Sequence, residues 1–291
     1  MRNVINQLLL FFVLAFTVLT SVGASKEFRI FDAMLYKSIN TYRDKGIPNA
    51  ALHGIQTIEV MYDGNIWPDS QDKNHSPPEV NVLEESVKRV RKSIGPVNID
   101  TICLDIEHWS LKESDNKKLT NNLNKYIKTI KSYKRKMPDM KFGYYGMLPV
   151  RNYYDALEDE SSEKYIKWKL QNDKLKSLAS EADIIFPSLY TFTSNGENWV
   201  KYAIKNIKEA KRYGKPVYAF IWPQYHPSVR FIGLNFMPAE LWKLQLETVA
   251  KHADGVVIWG GWDHEINKQL HWDERAEWWL VLKNFAKSLP Q

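Results

Sequence analysis

Thr101-Ile102-Cys103-Leu104-Asp105-Ile106-Glu107-His108-Trp109 is the stretch on which the reading of this chain turns. In an extended strand successive side chains point to opposite faces, so Ile102, Leu104 and Ile106 share one face and Thr101, Cys103, Asp105 and Glu107 the other. A wholly apolar face suits a covering layer of helices. Small residues followed by two acids suit the inside of a parallel barrel that opens at the carboxyl-terminal ends of its strands. Two residues apart on one strand, the acids sit about 6.5–7 Å from each other along it. They can then push their pKa values apart, one holding a proton while its neighbour stays charged. The plain alternative is a pair of acids that binds Lys or Arg inside the fold. Their position at the end of an apolar strand, just before Trp109, favours a site, because burying both to no purpose costs several kcal/mol.

Working outward, short apolar, β-branched or aromatic runs recur at 28–35, 57–61, 101–106, 142–146, 184–189, 217–221 and 255–259. Helical patterns lie between and after them at 83–94, 117–134, 163–179, 199–213, 238–252 and 273–288. This alternation predicts βα units and a TIM-like (β/α) barrel of seven or eight strands, with its site at the carboxyl-terminal strand ends. The polar stretch 63–80 follows the second run and belongs at that same end, where functional loops gather. No internal repeat or low-complexity segment interrupts the pattern.

The amino terminus reads differently. Arg2 precedes an apolar run at 8–22, and Val22-Gly23-Ala24 offers small residues for cleavage, so 1–24 is expected to be a signal peptide. The competing reading is an uncleaved membrane anchor, but the run is about 15 residues against the roughly 20 that span a bilayer. The expected product is a secreted or periplasmic single-domain protein over 25–291, with no stable membrane insertion once the leader is removed. Removal of 24 of the 291 residues leaves 267, close to the size of one barrel. With a single cysteine the exported chain has no internal disulfide and must rest on its core, with Cys103 as a small buried hydrophobe.

The chain carries 40 Lys and Arg against 34 Asp and Glu, a formal charge of +6 that falls to +5 without Arg2. That mild excess suits an acidic polymer, and the basic residues ride on amphipathic helices rather than in blocks interleaved with aromatics, so nucleic acid is not an expected partner. His108, His264 and His271 lack recognised metal-ligand spacing, and no phosphate loop, dinucleotide fingerprint or nucleophile elbow occurs. No metal or cofactor is therefore expected, and a monomer is.

Several segments resemble glycoside hydrolase family 56, the hyaluronidases. Leu104-Asp105-Ile106-Glu107-His108-Trp109 resembles the family's D-x-E-x-W strand, and Tyr62-Asp63-Gly64-Asn65-Ile66-Trp67-Pro68 its Y-x-x-x-L-G-x-Y-P segment. Phe142-Gly143-Tyr144-Tyr145-Gly146, Phe186-Pro187-Ser188-Leu189-Tyr190, Pro216-Val217-Tyr218 and Gly255-Val256-Val257-Ile258-Trp259-Gly260-Gly261-Trp262 are similar to four further family segments, in the family's order.

The resemblance implies an endo-acting hydrolase of a 2-acetamido-sugar polysaccharide such as hyaluronan or chondroitin, working by substrate-assisted retention. It assigns Glu107 as general acid and base and Asp105 as the group that orients the acetamido oxygen. Tyr62, Tyr145, Tyr190, Tyr218, Trp259 and Trp262 would bind substrate. Two departures stand out: Leu148-Pro149-Val150-Arg151 replaces the family's acid, leaving Arg151 to meet a substrate acid, and the paired cysteines are missing. Asp100-x-x-Cys103-x-Asp105-x-Glu107 is one residue short of the chitinase strand. A chitinase-like enzyme, a glycosidase for sugars without an acetamido group and a non-catalytic sugar-binding barrel are the alternatives.

Overall fold

The computed structural model describes residues 27–38, 44–68, 76–95, 97–263 and 266–290. The leader and the middle of the 63–80 stretch lie outside the described residues. Strands and helices alternate: β1 (Arg29–Met34), β2 (Ile55–Thr57), β3 (Glu59–Met61), α1 (Asp63–Ile66), α2 (Val80–Ile94), β4 (Thr101–Leu104), α3 (Asn116–Lys136) and β5 (Lys141–Tyr144) come first. Then follow α4 (Glu163–Asp173), α5 (Lys176–Glu181), α6 (Gly196–Lys211), β6 (Tyr218–Ile221), α7 (Ala239–His252), β7 (Gly255–Gly260), a short hairpin β8 (Trp262–Asp263) and β9 (Lys268–Gln269), and α8 (Glu277–Ser288).

All pairings among β1 to β7 are parallel, in two ladders ordered β2-β1-β7-β6 and β3-β4-β5. Only Ile58 separates β2 from β3, so one segment faces β1 with its first half and β4 with its second. On the other side the 184–189 segment stands between β5 and β6. It makes bridges Tyr145↔Phe186, Ile185↔Val217 and Ser188↔Phe220 instead of a ladder. Pro187 is the reason, since a proline in this segment has no N–H to give. Counted this way the ring has seven strand positions, at the lower end of the expected seven or eight, and the fold is a β/α barrel.

The alternation read from 101–109 recurs around the ring. Phe31, Val60, Cys103, Phe186, Phe220 and Val257 pack together inside the barrel. Ile30, Ile102, Leu104, Ile221, Val256 and Ile258 pack outward against the helices. Cys103 is fully buried in that interior. Gly143 occupies an inward position on β5 because a Cβ there would come within 2.2 Å of the Ile184 carbonyl oxygen and 2.8 Å of the Phe186 ring.

The helices follow their apolar stripes. On α2, Leu83, Ser86, Val90 and Ile94 are buried, and on α3 Leu119, Leu123, Tyr126, Ile130 and Tyr133 are. Each of the aliphatic side chains among them contributes about 1.5–3 kcal/mol by leaving water. Asp115 caps α3 by accepting from the backbone N–H groups of Lys117 and Lys118. The single helix expected at 163–179 is two, broken after Asp173. The Asn172 carbonyl is taken by the Leu175 N–H and the Tyr213 hydroxyl, which ends the regular i to i−4 ladder.

Candidate active site

The site grows out of the carboxyl-terminal ends of β3, β4, β5 and β7. Asp105 follows β4 directly, its N–H bonded to the Met61 carbonyl at 2.9 Å, so the acid keeps the strand's register one residue past its end. Tyr126 of α3 then donates to the Ile106 carbonyl at 3.0 Å, fixing the backbone between the two acids. Asp105 is half-buried and Glu107 is exposed, and both line one hollow of about 440 Å³.

Tyr62, Tyr145, Tyr190 and Trp259 line the same hollow, with Phe220 beneath. The Trp259 indole N–H donates to the Tyr62 hydroxyl at 2.9 Å, which joins the end of β7 to the end of β3. Trp259 also stacks on Tyr190, ring centres 5.6 Å apart at 30°, and meets Trp222 edge-on at 4.9 Å. Tyr145 and Ser188 share a hydroxyl hydrogen bond of 3.0 Å. The result is a rigid aromatic lining on which the apolar face of a pyranose can rest.

The electrostatics divide the two acids. Burial, then the charge of Glu107 and that of Asp63, push the Asp105 carboxyl up to about 7, with Arg151 pulling the other way. Asp105 therefore keeps its proton to far higher pH than an ordinary aspartate does. Glu107 instead receives a contact from Arg151, Nη1 to Oε1 at 3.3 Å. Arg151 is held in place through Val150, whose N–H donates to the Asn172 side chain at 2.8 Å and whose carbonyl accepts from Trp168 Nε1 at 2.9 Å.

Two expected substrate-binding residues lie elsewhere. Tyr218 is the first residue of β6, level with Gly255 at the start of β7, and Arg29 at the start of β1 donates to its hydroxyl at 3.3 Å. Strands β1 to β7 run the same way, so this is the end opposite the hollow. Phe220, one pleat further along on the same face, is the β6 residue that reaches it. Trp262 is carried off the β7 line by Gly260 and Gly261, at φ of 145° and 82°, into the β8–β9 hairpin and is not among the lining residues. Only glycine suits the second of these, because a Cβ on Gly261 would lie 2.5 Å from the Tyr36 nitrogen. Trp109 is buried against Tyr126, ring centres 4.9 Å apart, beside rather than inside the main hollow.

Three polar lining groups, Asp63, His108 and His226, were not among the expected site residues. His108 Nε2 lies 2.6 Å from the Asp63 carboxylate at the rim, and His226 stacks on Phe192 at 3.9 Å. Asp63 and His108 each adjoin a residue already singled out, which was the available signal. His226 sits in a loop with none. Among the described residues, no group of three or more His, Cys, Asp or Glu side chains could hold a metal ion.

Seventeen per cent of residues are identical to bee venom hyaluronidase, whose solved structure superposes with a TM-score of 0.62 over 90% of this chain and 100% of that one. The same bee enzyme in complex with a hyaluronic acid tetramer gives 0.60 at 17% identity, over 90% and 97%. A Cellulomonas fimi endo-β-1,4-mannanase double mutant gives 0.50 at 12% identity, over 82% and 55%. At such identities these likenesses speak for the barrel alone. No curated protein sequence matches this one significantly. The hyaluronidase family model, however, matches residues 97–278, more than half of the chain and the part that carries Asp105, Glu107, Tyr145, Arg151, Tyr190 and Trp259. The chain belongs to the hyaluronidase family, glycoside hydrolase family 56, and is a glycoside hydrolase.

Proposed function

We propose that the protein is an endo-acting hydrolase of a 2-acetamido-sugar polysaccharide, in which the sugar's own acetamido oxygen is the nucleophile. The observation that carries this reading is the pair of acids in one hollow with Asp105 pushed up to about 7. With the pair's proton on Glu107, the ionised Asp105 accepts from the acetamido N–H, turns the carbonyl oxygen toward the anomeric carbon and steadies the positive charge that develops there. Glu107, reaching further into solvent, gives its proton to the glycosidic oxygen as that bond breaks and the acetamido oxygen bonds to the anomeric carbon. Water then attacks the same carbon, loses a proton to Glu107 and reopens the cyclic intermediate, so the configuration is retained.

Tyr145 and Tyr190 face the position of the acetamido group, and Trp259 provides the floor under the ring. A relative crystallised with a hyaluronic acid tetramer supports an acidic, acetamido-bearing polymer as the substrate class. The leader at 1–24 supports export to the outside or the periplasm, which amino-terminal sequencing of the released protein would test.

Glu107→Gln should lower kcat on hyaluronan by about 10²–10⁴-fold, the usual worth of a general acid, while oligosaccharide binding persists. Equal activity of the wild type on N-deacetylated and acetylated polymer would sink the assisted mechanism, because only the acetyl oxygen can attack.

A further inference from the structure

Beside the main hollow lies a second of about 220 Å³, formed by the segment after β4 from Trp109 to Lys112 and the turn after β5 from Gly146 to Arg151. Glu107 and Arg151 line both hollows, whereas Asp105, Tyr190 and Trp259 line only the first. A glycosidic oxygen joins two rings, and the acid that protonates it must stand where the rings meet. Glu107 stands at the meeting of the two hollows. The first then holds the reacting ring and the second its leaving neighbour.

The charges in this second hollow are unbalanced. Lys112 and Arg151 face a single acid, Glu107, and Lys112 makes no side-chain hydrogen bond or ion pair with a described residue. Arg151 spends one 3.3 Å contact on Glu107 and retains further N–H donors in a planar fork suited to an oxyanion. Partial burial and the charge of Arg151 lower the Lys112 ammonium's affinity for its proton, with Glu107 opposing them, so the two cations sit together at a cost. A bound anion would remove that cost, and a neutral ring would not.

We propose that this hollow reads an anionic group, a carboxylate or a sulfate, on the leaving-group sugar through Lys112 and Arg151. The proposal rests on the hydrolase reading of Asp105 and Glu107 above. Lys112 is the specificity group proper, since Arg151 also supports Glu107.

Hyaluronan and carboxyl-reduced hyaluronan share the acetamido group and differ only in the acid, so the ratio of their kcat/KM values reads the recognition. The wild type should favour the uronate polymer by about tenfold or more, the worth of one charge-assisted hydrogen bond. Lys112→Met should lower that ratio at least threefold, Lys112→Arg should keep it, and Lys112→Met with Arg151→Gln should bring it near one. Sulfated against desulfated chondroitin, measured alike, assigns the recognised group to sulfate or to carboxylate. A ratio unchanged in Lys112→Met overturns the proposal. Hydrolysis of neither polymer would sink the hydrolase reading instead. Calorimetric binding of the two oligosaccharides to the wild type then decides the recognition, and equal Kd values overturn it.

Discussion

The Tyr126 hydroxyl donates to the carbonyl oxygen of Ile106 over 3.0 Å, from the middle of α3 to the one residue that separates Asp105 from Glu107. The Tyr126 carbonyl in turn accepts from the Tyr144 hydroxyl at 2.8 Å, so the support is itself anchored on β5. Strand β4 has already ended at this point, and Ile106 has no ladder partner to hold it. The aim of Glu107 therefore depends on a helix.

Tyr126→Phe keeps the ring and its packing and removes only that bond. Stability should fall by about 1–2 kcal/mol, the cost of a buried carbonyl left unpaired. The effect on turnover should be larger than this implies for folding. A loosened general acid should lower kcat by about tenfold with KM nearly unchanged, because positioning acts on the reacting geometry more than on binding. Steady-state kinetics beside urea unfolding separate the two effects, and a fall in KM affinity with kcat intact would contradict the positioning role.

The raised Asp105 carboxyl has a consequence for stability. Its pKa is about 7 in the folded protein against 3.8 for an unperturbed aspartate, so between those values the folded state binds a proton that the unfolded chain has released. The contribution of Asp105 to stability is then full below about pH 4, declines as pH rises towards 7, and levels off above it. Asp105→Asn cannot release that proton and should lose the decline. Relative to wild type it should gain about 2 kcal/mol at pH 8, well under the full 1.36 kcal/mol per unit because the group is partly solvated, and little at pH 4. Parallel pH slopes for the two proteins in urea unfolding would refute the shift.

How far the sequence carried this result is visible in β6. The period-two alternation of a strand puts Tyr218 on the inner face with Phe220, and Val217 and Ala219 outside. It could not tell how far along the barrel each inner residue sits, since that depends on register with β1 and β7, set by chain segments far away in sequence. Asp105 and Glu107 were placed without that knowledge because they end their strand, and a strand end is legible. His226 was not, as it reaches the hollow from a loop with no periodicity. Tyr218→Phe should therefore leave KM within about twofold, while Phe220→Ala, which opens the floor of the hollow, should raise it about tenfold, a loss of 1–2 kcal/mol in ring contacts. The reverse order in initial-rate measurements would restore Tyr218 to the site.

Asp63 enters the chemistry at a distance. It touches His108 at 2.6 Å, yet its charge is among the causes that raise the Asp105 carboxyl. Removing a neighbouring negative charge favours ionisation, so Asp63→Asn should move the Asp105 titration below 7, the residual shift being held by burial and Glu107. Because the ionised form of Asp105 holds the acetamido group, the rise of kcat with pH should begin earlier in the variant, while the basic limb stays in place. Carbon-13 NMR of the labelled aspartates across pH 4–9 reads the titration directly. An Asp105 titration that stays where it was in Asp63→Asn would show that burial and Glu107 alone hold the proton, and that the Asp63–His108 pair shapes the rim without tuning the acid behind it.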